Sequence, residues 1–73
     1  MSLRQDVIKA MNGDVSYESI YKMCKSKGYT NAKAEEVTKT ILTYLDYSMY
    51  ETASLMNCNL RTISRRIHDF LNT

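Results

Sequence analysis

The sequence predicts an all-α fold, a small bundle of about five helices. The chain has no proline and only two glycines, Gly13 and Gly28, and these are the residue types that most often interrupt helices. Apolar residues also recur at spacings of three and four, as they do on one face of an α-helix. The 73 residues suffice for one domain with a thin core. We therefore expect a single helical domain over residues 1–73.

The first three helices are expected to form a supporting unit over residues 1–47. The pair Asn12-Gly13 ends the first helix, Ser16 is the expected N-cap of the second, and Gly28 ends it. The third helix is the longest, at roughly 17 residues, and is expected to be the scaffold on which the others pack. The expected bounds are about 2–12, about 17–27, and from Thr30 or Asn31 to about Tyr47. The expected inward-facing residues are Leu3, Val7, Ile8 and Met11, then Tyr17, Ile20, Tyr21 and Cys24, then Ala34, Val37, Ile41, Tyr44 and Leu45.

Residues 48–73 are expected to form two short helices joined by a turn. Ser48 and Glu51 have the S-x-x-E spacing of a capping box, which predicts a helix that starts at Met49. The cluster Asn57-Cys58-Asn59 follows about eight residues later and consists of residue types common in turns. The last helix is expected over about 60–71, with an inward face of Leu60, Ile63, Ile67, Phe70 and Leu71.

The positions of Ala53, Asn57 and Ile63 relative to one another indicate that the two short helices form a DNA-binding helix-turn-helix. Ala53 provides the small side chain needed where the two helices cross. Asn57, four residues later, is a non-glycine type that tolerates the left-handed conformation of a sharp turn. Ile63 lies ten positions after Ala53, where the second helix must pack an aliphatic side chain onto the first. The second helix is then the one that enters the major groove.

The outward face of the last helix is rich in long polar side chains, and the residues expected on it are Arg61, Thr62, Ser64, Arg65, His68 and Asp69. Arg61 and Arg65 lie one turn apart and are expected to reach neighbouring base edges, because arginine binds guanine bidentately. Asn59 and Thr62 are expected to contact bases or phosphates. The full set of expected DNA contacts is Asn59, Arg61, Thr62, Ser64, Arg65, Arg66 and His68, with Arg66 and His68 placed towards the flanks for phosphates.

A resemblance to the helix-turn-helix of the Fis and NtrC family of bacterial regulators lies in the run TASLMNCNLRTISRRIHDF, from Thr52 to Phe70. The segment 48–71 is also similar to Cro-type repressors and to the promoter-reading part of sigma factors. The resemblance implies a sequence-specific, double-stranded DNA-binding transcriptional regulator. The matching residues are Ala53, Met56, Asn59, Thr62-Ile63, Arg65-Arg66-Ile67 and Phe70. The departures are Asn57 in place of glycine, the apolar Leu60 near the DNA, and the acidic Asp69.

Charge and cysteine content argue against other functions. The net charge is only +2, but three of the four arginines lie between Arg61 and Arg66, whereas all six lysines precede residue 40. Cys24 and Cys58 lack metal-site spacing, and there is one histidine, so no metal or cofactor is expected. A disulfide between them stays open, although two buried, reduced thiols are favoured. His68 has no partner at a catalytic spacing, so we expect no catalytic residue and no enzyme.

The expected partners are double-stranded DNA and a second copy of the chain. One recognition helix covers few base pairs, so we expect a homodimer through the first three helices, with Lys22, Lys25 and Lys27 at the surface away from the seam. The spacing of the six tyrosines fits core and interface packing better than stacking on single strands.

Neither a signal peptide nor a run of about 18 apolar residues is present, so a soluble, cytoplasmic protein without membrane contact is expected. The small size favours an origin in a phage or other mobile element. The alternative function is a helical adaptor that captures a host factor such as RNA polymerase, with the arginines meeting an acidic surface.

Overall fold

The computed structural model describes residues 2–73, so only Met1 of the expected domain lies outside it. Every predicted helix is present, each end lies within two residues of its expected position, and residues 2–73 contain no strand. The predicted all-α fold class is therefore confirmed. The helices are α1 (Leu3–Ala10), α2 (Tyr17–Ser26), α3 (Asn31–Asp46), α4 (Met49–Leu55) and α5 (Leu60–Asn72).

Each of the five helices begins at a polar N-cap whose side chain accepts a hydrogen bond from a backbone N–H of the first turn. The predicted capping box is confirmed: the Ser48 hydroxyl accepts from the Glu51 N–H at 3.1 Å, and the Glu51 carboxylate accepts from the Ser48 N–H at 3.0 Å. This backbone hydrogen bond lowers the pKa of the Glu51 carboxyl group. The N-caps are Ser2, Ser16, Thr30, Ser48 and Asn59.

Three helices end through a residue in the left-handed conformation, as the sequence predicted. Asn12, Gly28 and Asn57 have φ values of 53°, 93° and 56°. Each donates its N–H to the carbonyl three residues earlier, and the following residue donates to the carbonyl five residues earlier. This pair of bonds is the Schellman motif, which satisfies carbonyls that the helix itself leaves free.

The C-terminal end of α3 is satisfied differently, by a side chain from α1. Tyr47, the C-cap, has extended backbone angles, because Ser48 immediately begins the cap of α4. The Arg4 guanidinium donates to the carbonyls of Tyr44 and Tyr47 at 3.0 Å each and lies 5.0 Å from the centre of the Tyr44 ring. A cation at this end also complements the helix dipole.

The core is organised around α3, which packs against the other four helices. The prediction that the third helix is the scaffold is confirmed. Three threonines join the apolar core, and two of them donate to the carbonyl four residues earlier, Thr40 to Glu36 and Thr52 to Ser48. The buried apolar residues are Val7, Met11, Ile20, Cys24, Ala34, Val37, Ile41, Tyr44, Ala53, Ile63, Ile67 and Phe70.

The exposed apolar surface differs from the predicted one. On α1, Val7 and Met11 are buried in the core as expected and Leu3 packs against it, whereas Ile8 is only half-buried. Tyr44 alone among the tyrosines is buried, Tyr21 and Tyr29 are half-buried against the core, and the predicted inward position of Tyr17 is wrong because its side chain is 42% exposed. The large apolar side chains that are exposed are Tyr17, Tyr47, Tyr50 and Leu55.

Two other predictions hold only in part. Cys24 and Cys58 are both free thiols, but Cys58 is only half-buried, in the turn between α4 and α5. Burial raises the pKa of the Cys24 thiol.

Lys22 and Lys25 are exposed as expected, whereas Lys27 is half-buried. The Lys27 ammonium lies 5.2 Å from the centre of the Phe70 ring and donates to the Thr73 carbonyl at 2.6 Å.

Candidate nucleic-acid interface

The two helices that carry the expected DNA contacts, α4 and α5, are joined by a compact turn. Ala53 is 6% exposed and its carbonyl accepts from the Cys58 N–H at 2.9 Å. Asn57, directly after the Met56 C-cap of α4, has the predicted left-handed φ of 56°. Ile63 is fully buried, as expected from its spacing to Ala53. The turn therefore has the backbone and the small core that the sequence predicted.

The inner and outer faces of α5 agree with the helical period. Ile63, Ile67 and Phe70 are fully buried, and Leu60 and Leu71 are half-buried beside them. The predicted outward-facing residues divide into two groups. Those fully at the surface are Arg61, Arg65, His68 and Asp69, and those half-buried at its edge are Thr62 and Ser64.

Arg61 and Arg65 have no ion-pair partner among residues 2–73. The carboxylates that form ion pairs do so with other cations: Glu18 with Lys22, Glu35 with Lys39, and Glu36 with Lys33 and Arg66. Four residues separate the two arginines, so they project from one face about one helical turn apart. Both guanidinium groups are thus available to an external acceptor.

Asn59 and Thr62 form the start of α5. The Asn59 side-chain oxygen accepts from the Thr62 N–H at 2.8 Å and from the Thr62 hydroxyl at 3.0 Å. Both contacts use the oxygen of the amide, so its NH2 group makes no hydrogen bond within residues 2–73. This arrangement leaves an exposed NH2 group, with two N–H donors, at the end of α5 that is expected to approach the groove.

His68 lies on the flank of α5 that faces α1. Its Nδ1 atom is 2.8 Å from the Ser64 carbonyl oxygen, and because a carbonyl only accepts, the neutral ring carries its proton on Nδ1. The ring lines a shallow groove of about 410 Å³ together with residues of α1, including Asp6 and Lys9. His68 is therefore at the edge of the arginine face and not at its centre.

Arg66 occupies a different position from the other expected contacts. Its side chain is only 14% exposed, and its Nε atom lies 3.3 Å from a Glu36 carboxylate oxygen. A terminal nitrogen also donates to the Thr40 hydroxyl at 3.3 Å. The flanking position expected for Arg66 is thus the inner flank, against α3. Its spacing of three from Ile63 and four from Phe70 is the pattern that places it there.

No protein-family model, curated protein or solved structure that was compared with this chain matches it.

Residues 2–73 contain no group of three or more histidine, cysteine, aspartate or glutamate side chains placed to hold a metal ion. None of the described helices combines the length and the apolar character needed to cross a bilayer.

Proposed function

We propose that this chain is a transcriptional regulator that binds double-stranded DNA sequence-specifically, with α4 and α5 acting as a helix-turn-helix. The observation that carries the proposal is the pair Arg61 and Arg65, exposed on one face of α5 and without an internal acidic partner. The left-handed Asn57 and the buried Ala53 and Ile63 support it, because they meet the packing needs of such a motif.

The spacing of the two arginines suits the major groove. Four residues of α-helix advance about 6 Å, which corresponds to roughly two base-pair steps of about 3.4 Å. Each guanidinium can form two parallel hydrogen bonds with O6 and N7 of a guanine. The Asn59 NH2 group and the Ser64 hydroxyl add donors beside them, and His68 is placed for a phosphate at the flank. Arg66, held by α3, is not part of this contact set.

Specific recognition favours two copies of the chain. A helix of 13 residues such as α5 is only about 20 Å long and reads few base pairs. A homodimer on an inverted repeat sets two such helices about 34 Å apart, one turn of DNA. Cytoplasmic location and an origin in a phage or mobile element accord with this function and belong to the same proposal.

A second candidate function is a helical adaptor that binds a host protein such as RNA polymerase. The observation that favours it is the exposed apolar side chains near the start and end of α4: Tyr50 is 74% exposed and Leu55 is 63% exposed. Large apolar residues at the surface are enriched in protein interfaces. This surface differs from the arginine face, so the two functions are separable by mutation.

The direct test is selection of bound sequences from random duplexes, followed by affinity measurements at several salt concentrations. We expect one enriched motif, and we expect the single changes Arg61→Ala and Arg65→Ala each to weaken specific binding by about 1–3 kcal/mol. The matched control is the double variant Lys22→Ala with Lys25→Ala, which removes the same charge as the double arginine variant from exposed sites on α2.

Two results would contradict the proposal. One is a failure to enrich any sequence together with a lack of salt-dependent duplex binding, since phosphate contacts make DNA affinity fall steeply with salt. The other is full-strength binding by a folded Arg61→Ala, Arg65→Ala double variant. Circular dichroism of that variant establishes whether it is folded.

A further inference from the structure

Arg66 links α5 to α3 through a group of three side chains, which we call the Arg66 latch: Arg66, Glu36 and Thr40. Arg66 Nε lies 3.3 Å from a Glu36 carboxylate oxygen, and an Arg66 terminal nitrogen donates to the Thr40 hydroxyl at 3.3 Å. The Thr40 hydroxyl in turn donates to the Glu36 carbonyl at 2.8 Å. The Thr40 hydroxyl therefore donates its hydrogen to the Glu36 carbonyl and accepts from the Arg66 guanidinium through a lone pair.

Other contacts fix the positions of Thr40 and Glu36, the two partners of Arg66 in the latch. Thr40 is fully buried, so its position is fixed by the core of the bundle. Lys33 donates to the same Glu36 carboxylate oxygen at 3.1 Å, which restrains that side chain from the solvent side. Arg66 is 14% exposed and Glu36 is 41% exposed, so the ion pair is sheltered on the arginine side.

These contacts bear on the direction in which the outer face of α5 points. Ile63, Ile67 and Phe70 attach α5 to the bundle through apolar contacts, which are non-directional. The hydrogen bond from Arg66 to the Thr40 hydroxyl, in contrast, requires a defined distance and angle, and the ion pair with Glu36 holds the guanidinium beside it. Successive residues of a helix are about 100° apart, so a fixed direction for Arg66 also fixes the direction of Arg65.

We propose that Arg66 is a positioning residue for DNA recognition: together with Glu36 and Thr40 it sets the orientation of α5, and thereby aims Arg61 and Arg65. This inference rests on the proposed function. It replaces the expectation that Arg66 contacts a phosphate, and it assigns a role in recognition to Glu36, an acidic residue on another helix.

A substitution of Glu36 tests the positioning role, because charge and positioning predict opposite changes in DNA affinity. Removal of a carboxylate makes the chain more positive, and charge alone would then strengthen binding to DNA. The latch predicts the opposite for Glu36→Gln: about 5- to 10-fold weaker binding to the selected duplex, because the arginines are misdirected. The matched control is Glu35→Gln, a neighbouring change that removes an exposed carboxylate paired with Lys39 and leaves the latch intact.

Arg66→Met separates positioning from phosphate contact. We expect it to weaken specific binding about 5- to 10-fold while the slope of log affinity against log salt is unchanged, since each lost phosphate contact lowers that slope by about 0.9. The exchange of both charges, Glu36→Arg with Arg66→Glu, should recover binding relative to Glu35→Arg with Arg66→Glu, which has the same net charge but does not restore the pair with residue 36. A reduced slope for Arg66→Met without recovery in the exchange variant would overturn the positioning role.

A measurement on the free protein separates the role of Arg66 in orienting α5 from the proposed DNA-binding function. Residual dipolar couplings report the orientation of α5 relative to α3, and we expect them to change in Arg66→Met but not in Glu35→Gln. An unchanged orientation in folded Arg66→Met overturns the latch whatever the DNA results. If the wild-type chain binds no duplex, the proposed function and the recognition role fall together, and the couplings then show whether Arg66 still orients α5.

Discussion

At the scale of single residues, Asn57 has the backbone conformation on which the geometry of α4 and α5 depends. Its φ of 56° lies in the left-handed region, where a β-branched side chain is strained but asparagine and glycine are accepted. Its side chain is exposed, so a substitution there changes backbone energy without removing core contacts. Substitutions at position 57 therefore test the backbone conformation of the turn without altering the core.

We predict that Asn57→Gly is tolerated and that Asn57→Val lowers the free energy of unfolding by about 1 kcal/mol or more, because valine is strained at positive φ. Thermal melts of the two variants measure the difference. Asn72→Val, at an exposed position within α5, is the control for the change of side chain alone. Equal melting temperatures for Asn57→Gly and Asn57→Val would show that the turn does not require this conformation.

At the scale of elements, the connection from α3 to α4 depends on a side chain from α1. Tyr47 is the C-cap of α3 and Ser48 is the N-cap of α4, with no residue between them. The connection therefore lacks the left-handed residue that ends α1, α2 and α4. Arg4 donates to the carbonyls of Tyr44 and Tyr47. Both bonds come from one terminal nitrogen of Arg4, whose two N–H groups reach the two carbonyls, while the Arg4 Nε atom is buried without a hydrogen-bond partner within residues 2–73.

We expect Arg4→Met to lower the free energy of unfolding by about 1–2 kcal/mol, since it removes two charge-assisted hydrogen bonds, of which the one to the Tyr44 carbonyl is partly buried. Arg4→Lys should have an intermediate effect. Urea denaturation measures both. The control is Arg61→Met, at an exposed arginine without an internal ion pair, which should change stability little. A loss for Arg4→Met no larger than for Arg61→Met would contradict the capping role.

At the scale of the whole molecule, the chain is small relative to a DNA site. Its extents are 28 × 27 × 19 Å, less than the roughly 34 Å of one DNA turn. Two copies side by side are thus comparable in size with two half-sites. Of the apolar residues on α1, Val7 and Met11 are buried inside the monomer, and Leu3 and Ile8 are half-buried. The exposed apolar side chain that remains on the first three helices is Tyr17, which stacks on Tyr21 at a ring distance of 6.1 Å.

We predict a homodimer through the first three helices, measured by sedimentation at micromolar concentration with and without the selected duplex. Tyr17→Asp should weaken the dimer because it places a charge in the seam, whereas Leu55→Asp on α4 should not. The reverse pattern would place the interface at α4. A chain that is monomeric both free and on its selected site would remove the homodimer and leave the DNA-binding proposal intact.

The sequence alone determined where the helices begin and end and which face of α5 is outward. These features are local: an N-cap side chain accepts from a backbone N–H three residues away, and asparagine at position 57 is a residue type that tolerates the left-handed conformation. The period of 3.6 residues then follows from the helix itself, so Ile63 and Ile67 inside imply Arg61 and Arg65 outside.

The tertiary structure decided the partners of side chains whose contacts are distant in sequence. Arg4 and Tyr44 are 40 residues apart, and Arg66 and Thr40 are 26 apart. Helical periodicity puts Arg66 near the inner face, but which acceptors lie opposite depends on how α5 packs on α3. The exposure of Tyr50 and Leu55 likewise depends on which helices cover α4. Such contacts arise only once the helices are assembled, because local spacing carries no information about the neighbour across an interface.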